Sequence, residues 1–126
     1  MPKQIIFSDK APAPIGPYSQ AVQAGGMLFI SGQVGINPKT NTVEATDVAG
    51  ETHQVMHNLK AILAEAEIDF SRVVKTTIFL MDMKNFQSVN EIYGKFFTSD
   101  FPARETVQVS GLPKNVNVEI SVIASK

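Results

Sequence analysis

The clearest two-residue alternation of apolar and polar positions lies in the last quarter of the chain, residues 101–126. Val116, Val118, Ile120, Val122 and Ala124 fall on one side of an extended strand, with Asn117, Glu119 and Ser121 on the other. In the stretch before it, Val107 and Val109 share a side while Arg104, Thr106 and Gln108 share the opposite one. A tight loop at 112–115 separates the two. The pattern predicts a hairpin with apolar face on apolar face, from which Arg104 and Glu119 emerge on the same side. One cation and one carboxylate in a row of hydroxyls and amides suit a small-molecule site. A solvated sheet face, or an ion pair across the hairpin, fits the same pattern.

Upstream, 4–7 is a short apolar run of edge-strand type, and 11–17 carries three prolines, which keep it out of a sheet interior. Residues 18–24 and 27–31 read as strands about the turn signal Gly25 and Gly26. Residues 47–67 form the strongest helical pattern. Stepped at about 100° per residue, Val48, Val55, Met56, Ile62, Leu63 and Ala66 gather around Leu59, and Thr46 or Asp47 can cap the start. Residues 73–82 read as a strand with no clearly polar face. Residues 86–97 read as a second helix burying Phe86, Val89, Tyr93, Phe96 and Phe97.

The order is βββ-α-β-α-ββ, a mixed six-stranded α+β arrangement in one domain, 1–126. Two helices cover one face of such a sheet. The strands at 27–31 and 73–82 are nevertheless apolar on both faces, which predicts self-association through the uncovered side.

Composition narrows the function classes. The 126 residues carry a formal net charge of −1 with no long charge run, so a nucleic-acid or membrane partner is not expected. Cysteine is absent, which removes disulfides, thiolate chemistry and thiolate metal sites. No stretch has the length of a signal-peptide core or a membrane span, and the chain is read as a soluble cytoplasmic protein. His53 and His57 stand four apart on the polar side of the first helix. They lack the intervening glutamate of a zinc-protease motif and any evident third ligand, so they read as solvated side chains and no metal is expected.

The segments APIGPYSQAV (13–22), LFISGQVGINPKT (28–40), THQVMHNLKAIL (52–63), VNEIYGKFF (89–97) and FPAR followed by LPKNVNVEISVIA (112–124) resemble the RidA/YjgF family of reactive-intermediate (imine/enamine) deaminases. The resemblance spans nearly the whole chain. It implies a chorismate-mutase-like fold with two helices on one face of the sheet, and a homotrimer whose sheets form a central barrel with sites between subunits. It also implies hydrolysis of 2-imino acids such as 2-iminobutanoate and 2-iminopropanoate, released by pyridoxal-phosphate enzymes, to 2-keto acids and ammonia without cofactor or metal.

By the same resemblance Arg104 anchors the substrate carboxylate and Glu119 orients the hydrolytic water. Tyr18, Ser31 and Gly32 join them, with Asn90 and Thr106 as further substrate contacts. The chain departs from the family where Glu105 and Thr106 replace a usual Ser-Cys pair, and where Ser110 and Gly111 replace Ala-Arg. Arginine's planar fork suits a carboxylate, and a carboxylate can take and return the protons of imine hydrolysis. Two other functions fit the same resemblance: a non-catalytic 2-keto acid sensor, and a ribonuclease or translation inhibitor. The near-neutral charge weakens the second of these.

Overall fold

The computed structural model describes residues 2–126. Its strands are β1 (Gln4–Ile6), β2 (Ala21–Ala24), β3 (Met27–Gln33), β4 (Val73–Leu80), β5 (Ala103–Gln108) and β6 (Val118–Ser125), with helices α1 (Val48–Glu65) and α2 (Phe86–Gly94). They form one mixed six-stranded sheet in the order β1-β2-β3-β6-β4-β5. Every neighbouring pair is antiparallel except β4 and β5, which run parallel. A parallel pair needs a crossover, and α2 supplies it.

The local signals explain the elements. Gly25 and Gly26 both have positive φ, 57° and 77°, as the tight turn between β2 and β3 requires. The Asp47 side chain accepts from the Gly50 N–H at 2.8 Å and starts α1. At its other end Glu67 takes φ 64°, and the Ile68 N–H returns to the Leu63 carbonyl at 3.0 Å. This is a Schellman stop made without glycine. Val55, Met56, Leu59, Ile62 and Leu63 are all buried and pack on Leu28, Ile30, Ile78, Ile120 and Val122 of the sheet. The second helix ends at Gly94, short of the expected 97. Val89, Tyr93 and Phe97 are buried as expected, but Phe86 is 38% exposed.

Cross-strand register assigns each side chain to a face. One row runs Ile6, Ala21, Ile30, Val122, Thr76 and Arg104 across all six strands, on the side covered by the helices. The opposite face carries the row Ile5, Val22, Phe29 and Ile123, and further along it Glu119, Phe79 and Val107. Ile5, Phe29, Val74 and Val107 are exposed there. An uncovered apolar sheet face is thus present, as the two-faced strands predict.

The last two strands do not form the expected hairpin. β4 lies between them, and the intervening turn at Pro113–Asn115 carries β6 past it to pair with β3. Register sets Arg104 beside Thr76 and Val122 on the helix side and Glu119 beside Phe79 on the other, so the two charges lie on opposite faces of the sheet rather than the same one. Each strand alternates as its sequence predicts, but period two gives neither a strand's neighbour nor which of its sides meets the core. No helix of the structure is long and apolar enough to cross a membrane.

Candidate active site

Arg104 stands on the edge strand β5, where α2 leaves the helix-side face partly open. Its Nη1 donates to Asn90 Oδ1 at 2.7 Å. Its guanidinium lies over two aromatic rings, 5.5 Å from the centroid of Phe86 and 5.2 Å from that of Tyr93. Two π-faces and one amide hold the fork flat. Tyr93 is fixed in turn, its hydroxyl 2.8 Å from Thr76 Oγ1. Burial raises the Tyr93 pKa, with partial offsets from the Thr76 hydrogen bond and the Arg104 charge, so the phenol stays neutral.

No carboxylate among the described residues pairs with Arg104. The only ion pair among the described residues joins Lys75 Nζ to Glu105 Oε1 at 3.3 Å. Glu105 points to the uncovered face, as strand alternation predicts, and is engaged there by lysine. The negative charge introduced beside the arginine is thus turned away from it. Thr106, two residues on and on the Arg104 side, has a buried Oγ1 with no hydrogen-bond partner. Beside Arg104 opens a cavity of about 360 Å³ lined by Asn90, Tyr93, Gly94, Phe101, Pro102 and Arg104.

Glu119 belongs to a different cluster. β3 carries an irregularity between Ile30 and Gln33, where Ser31 and Gly32 break the pairing with β6. Glu119 lies over Gly32, so that a Cβ at position 32 would sit 2.7 Å from Glu119 Cδ and 2.9 Å from its Cγ. Burial pushes the Glu119 pKa up, with no donor or cation to offset it. A small cleft of about 40 Å³ groups Glu119 and Gly32 with Tyr18, Ile15 and Pro113. Tyr18 is 47% exposed, and its hydroxyl accepts from the Ile15 N–H at 3.3 Å.

Ser31 has a different geometry from a free hydroxyl. Its Oγ donates to the Ser19 carbonyl at 2.6 Å, and its N–H donates to the Gln20 carbonyl at 2.9 Å. It fastens the segment bearing Tyr18 to the sheet.

The structure therefore sorts the seven sequence-derived residues into two separate clusters. Arg104, Asn90 and Thr106 form one; Glu119, Gly32, Tyr18 and the tether Ser31 form the other. Sequence reasoning missed four supports. Phe86 and Tyr93 read as ordinary core aromatics, and nothing in their spacing marks them as a platform for arginine. Gln20, buried, holds the proline-rich segment through bonds to Ser8, Ala11 and Pro12. Buried Glu51 accepts from the Asn117 backbone N–H at 2.8 Å and from Asn117 Nδ2 at 2.6 Å, fixing the entry to β6 two residues before Glu119. A carboxylate in the first turn of a helix reads simply as dipole pairing. His53 and His57 are exposed, their rings 4.5 Å apart and edged by Phe96.

Residues 8–126 match the family described as endoribonuclease L-PSP. The chain is 46% identical over 123 residues to Reactive Intermediate Deaminase A, chloroplastic, of Arabidopsis thaliana, covering 98% of this chain and 66% of that one. Among solved structures it resembles YyfA, of the conserved Rid protein family, from Yersinia pestis. That match has TM-score 0.97 and 45% identity, over 99% of this chain and 100% of the other. It also resembles the YjgF gene product of E. coli, with TM-score 0.93 and 44% identity, over 98% of each chain.

Proposed function

This chain belongs to the endoribonuclease L-PSP family, together with the RidA and YjgF proteins, and from that premise we propose that it is a hydrolytic deaminase of reactive 2-imino acids and their enamine tautomers. The observation that carries the reading is Arg104: a guanidinium held flat by Asn90, Phe86 and Tyr93, facing a cavity, with no carboxylate partner among the described residues. Such a group is prepared for an external carboxylate.

In the proposed reaction the substrate carboxylate lies on Arg104. Glu119 takes a proton from water as the oxygen bonds to the imine carbon and passes it to the imine nitrogen, giving a carbinolamine. Glu119 then takes the hydroxyl proton as the keto group forms and delivers it to the nitrogen, which leaves as ammonia as the C–N bond breaks. One 2-imino acid and one water become one 2-keto acid and one ammonia. A carboxyl whose pKa burial has raised is better matched to both proton transfers than an ordinary surface glutamate. The substrates proposed are 2-iminobutanoate and 2-iminopropanoate.

Arg104 and Glu119 lie on opposite faces of one sheet, which supports a cleft taking the arginine half-site from one copy and the glutamate half-site from a neighbour. The uncovered apolar face supports association of copies, and a homotrimer is the arrangement we propose. An RNA-cleaving role draws less support from a net charge of −1.

The test generates 2-iminobutanoate with a threonine dehydratase in the presence of semicarbazide, which traps the imine. The protein should reduce semicarbazone formation and speed release of 2-ketobutanoate. Arg104→Ala should lose this effect while remaining folded, because two charge-assisted hydrogen bonds of about 1.5–3 kcal/mol each are removed. Saturable binding of 2-ketobutanoate without acceleration would favour the sensor reading instead.

A further inference from the structure

Among the described residues Glu51 is the only buried one that carries a charge, at 4% exposure, and the proposed reaction gives it no part. No cation pairs with it there, the only ion pair among those residues being Lys75 with Glu105. Its place in the first turn of α1 favours a negative charge. Both of its oxygens are given to one residue, Oε1 to the Asn117 N–H and Oε2 to Asn117 Nδ2.

Asn117 forgoes a sheet bond to make this contact. Its carbonyl accepts from the Met81 N–H at 3.1 Å, one step beyond the register pair Leu80 and Val118. Residues opposite each other at such a point of an antiparallel ladder exchange both bonds, so the Asn117 N–H would ordinarily return to Met81. It goes to Glu51 instead, and the chain bends at Asn117 before β6 begins at Val118. On the other flank β3 offers no partner, because its register with β6 stops at Gln33 and Ile120. A helix carboxylate thus stands where a strand would, at the start of β6.

The β3 side of the Glu119 cleft is tied to the same helix. Gly32, Gln33, Val34 and Ile36 line that side. Asn58 Nδ2 donates to the Val34 and Ile36 carbonyls at 3.1 and 3.0 Å. A Cβ at Gly35 would lie 3.1 Å from Glu51 Cα, so this segment runs directly against α1. Both sides of the cleft therefore take their position from α1, and Glu51 is the tie on the side that bears the carboxylate.

We infer that Glu51 is a positioning residue for Glu119: by taking both donors of Asn117 it bends the chain into β6 and sets where the Glu119 carboxylate stands in its cleft. The inference rests on the hydrolase reading proposed above. Glu51 does not line the cleft, so it acts through the strand and not on the substrate.

The experiment compares the unmodified protein with Glu51→Ala, Glu51→Gln, Asn117→Asp and the double variant Glu51→Gln with Asn117→Asp. Activity on 2-iminobutanoate is scored by competition with semicarbazide, and thermal unfolding gives the folded fraction of each. Glu51→Ala removes both acceptors, and Asn117→Asp sets two carboxylates against each other. Each should lower kcat per folded molecule by about tenfold or more, as displacement of a reacting group does. KM should stay within about twofold, because Arg104 on the other face still holds the substrate carboxylate. Glu51→Gln keeps an acceptor for the Asn117 N–H, and its amide can donate to the Asn117 oxygen, so kcat should stay within about threefold. In the double variant the new amide donates to the new carboxylate, and kcat should return to the same range. Asn117 is exposed, so Asn117→Asp and its rescue decide the matter even where Glu51→Ala fails to fold. The inference falls if kcat per folded molecule is unchanged in Asn117→Asp, if the loss appears in KM as much as in kcat, or if the double variant is no faster than Asn117→Asp. If the unmodified protein does not accelerate the hydrolysis, the hydrolase reading itself fails, and the role of Glu51 with it.

Discussion

Gly32 and Glu119 are packed so closely that position 32 has no room for a side chain. A methyl there would meet the carboxylate stem of Glu119 at 2.7–2.9 Å. The obstacle is the end of a flexible side chain, so Gly32→Ala should fold and displace the carboxylate. Misplacement by about 1 Å is worth on the order of 10²-fold in rate. We expect that loss in kcat, with thermal unfolding nearly unchanged. Full activity in Gly32→Ala would mean that the position of Glu119 is not important.

Glu119 also predicts a pH signature. Its folded pKa is raised by burial, so the native state holds the proton more tightly than the unfolded chain. Stability from this group is greatest below the ordinary glutamate pKa and declines as pH rises through the elevated folded value. Glu119→Gln should therefore be more stable than the parent at neutral pH, and the advantage should vanish in acid. The same substitution should reduce turnover by about 10²–10⁴-fold. The alkaline-rising limb of the parent's rate profile should lie above the ordinary carboxylate range. Denaturant titrations at several pH values and a pH–rate profile measure both effects.

Ser31 is predicted to act through the chain rather than on the substrate. Its hydroxyl proton is directed to the Ser19 carbonyl. Ser31→Ala should cost about 1 kcal/mol of stability, the worth of one hydrogen bond, with under about tenfold loss of activity. A loss comparable to that of Glu119→Gln, in a variant of unchanged stability, would instead make the hydroxyl a proton carrier.

The division of the half-sites between faces predicts complementation. Arg104→Ala and Glu119→Gln should each be inactive alone. Refolded together in equal amounts they should regain activity in about a quarter of the clefts, those with the intact arginine and the intact glutamate on adjacent copies. In the same vein Phe29→Asp, a charge at the centre of the uncovered apolar row, should disperse the assembly in light scattering and remove activity with it. An active monomer would refute the shared cleft.

These relationships were legible in the sequence to different depths. The α1 stripe, the Gly25 and Gly26 turn and the alternation of β6 follow from local chemistry, and all three are present in the structure. Arg104 and Glu119 could be singled out as charges amid hydroxyls and amides. Their placement could not, because a strand's pattern does not name its partner, and β5 joins β4 in parallel through a helix rather than turning back on β6. The valines of β5 added to the error. Val107 looks like a core residue but is 42% exposed on the uncovered face, while Arg104 and Thr106 face the helices. An edge strand only partly covered by α2 can place polar groups inward, where they line a cavity, and apolar ones outward, where other copies can cover them.

The central position of β6 also bears on how the molecule comes into being. Without β6 the strand order leaves β1-β2-β3 and β4-β5 as two separate pieces of sheet, since every backbone bond joining them runs through it. The final eight-residue strand enters as a keystone, far in sequence from the β3 strand it meets. The sheet therefore cannot close until β6 has been made, and removal of that strand should leave a chain that is captured by chaperones or aggregates. That closing strand also carries Glu119, so a chain that lacks it also lacks the carboxylate proposed to handle water.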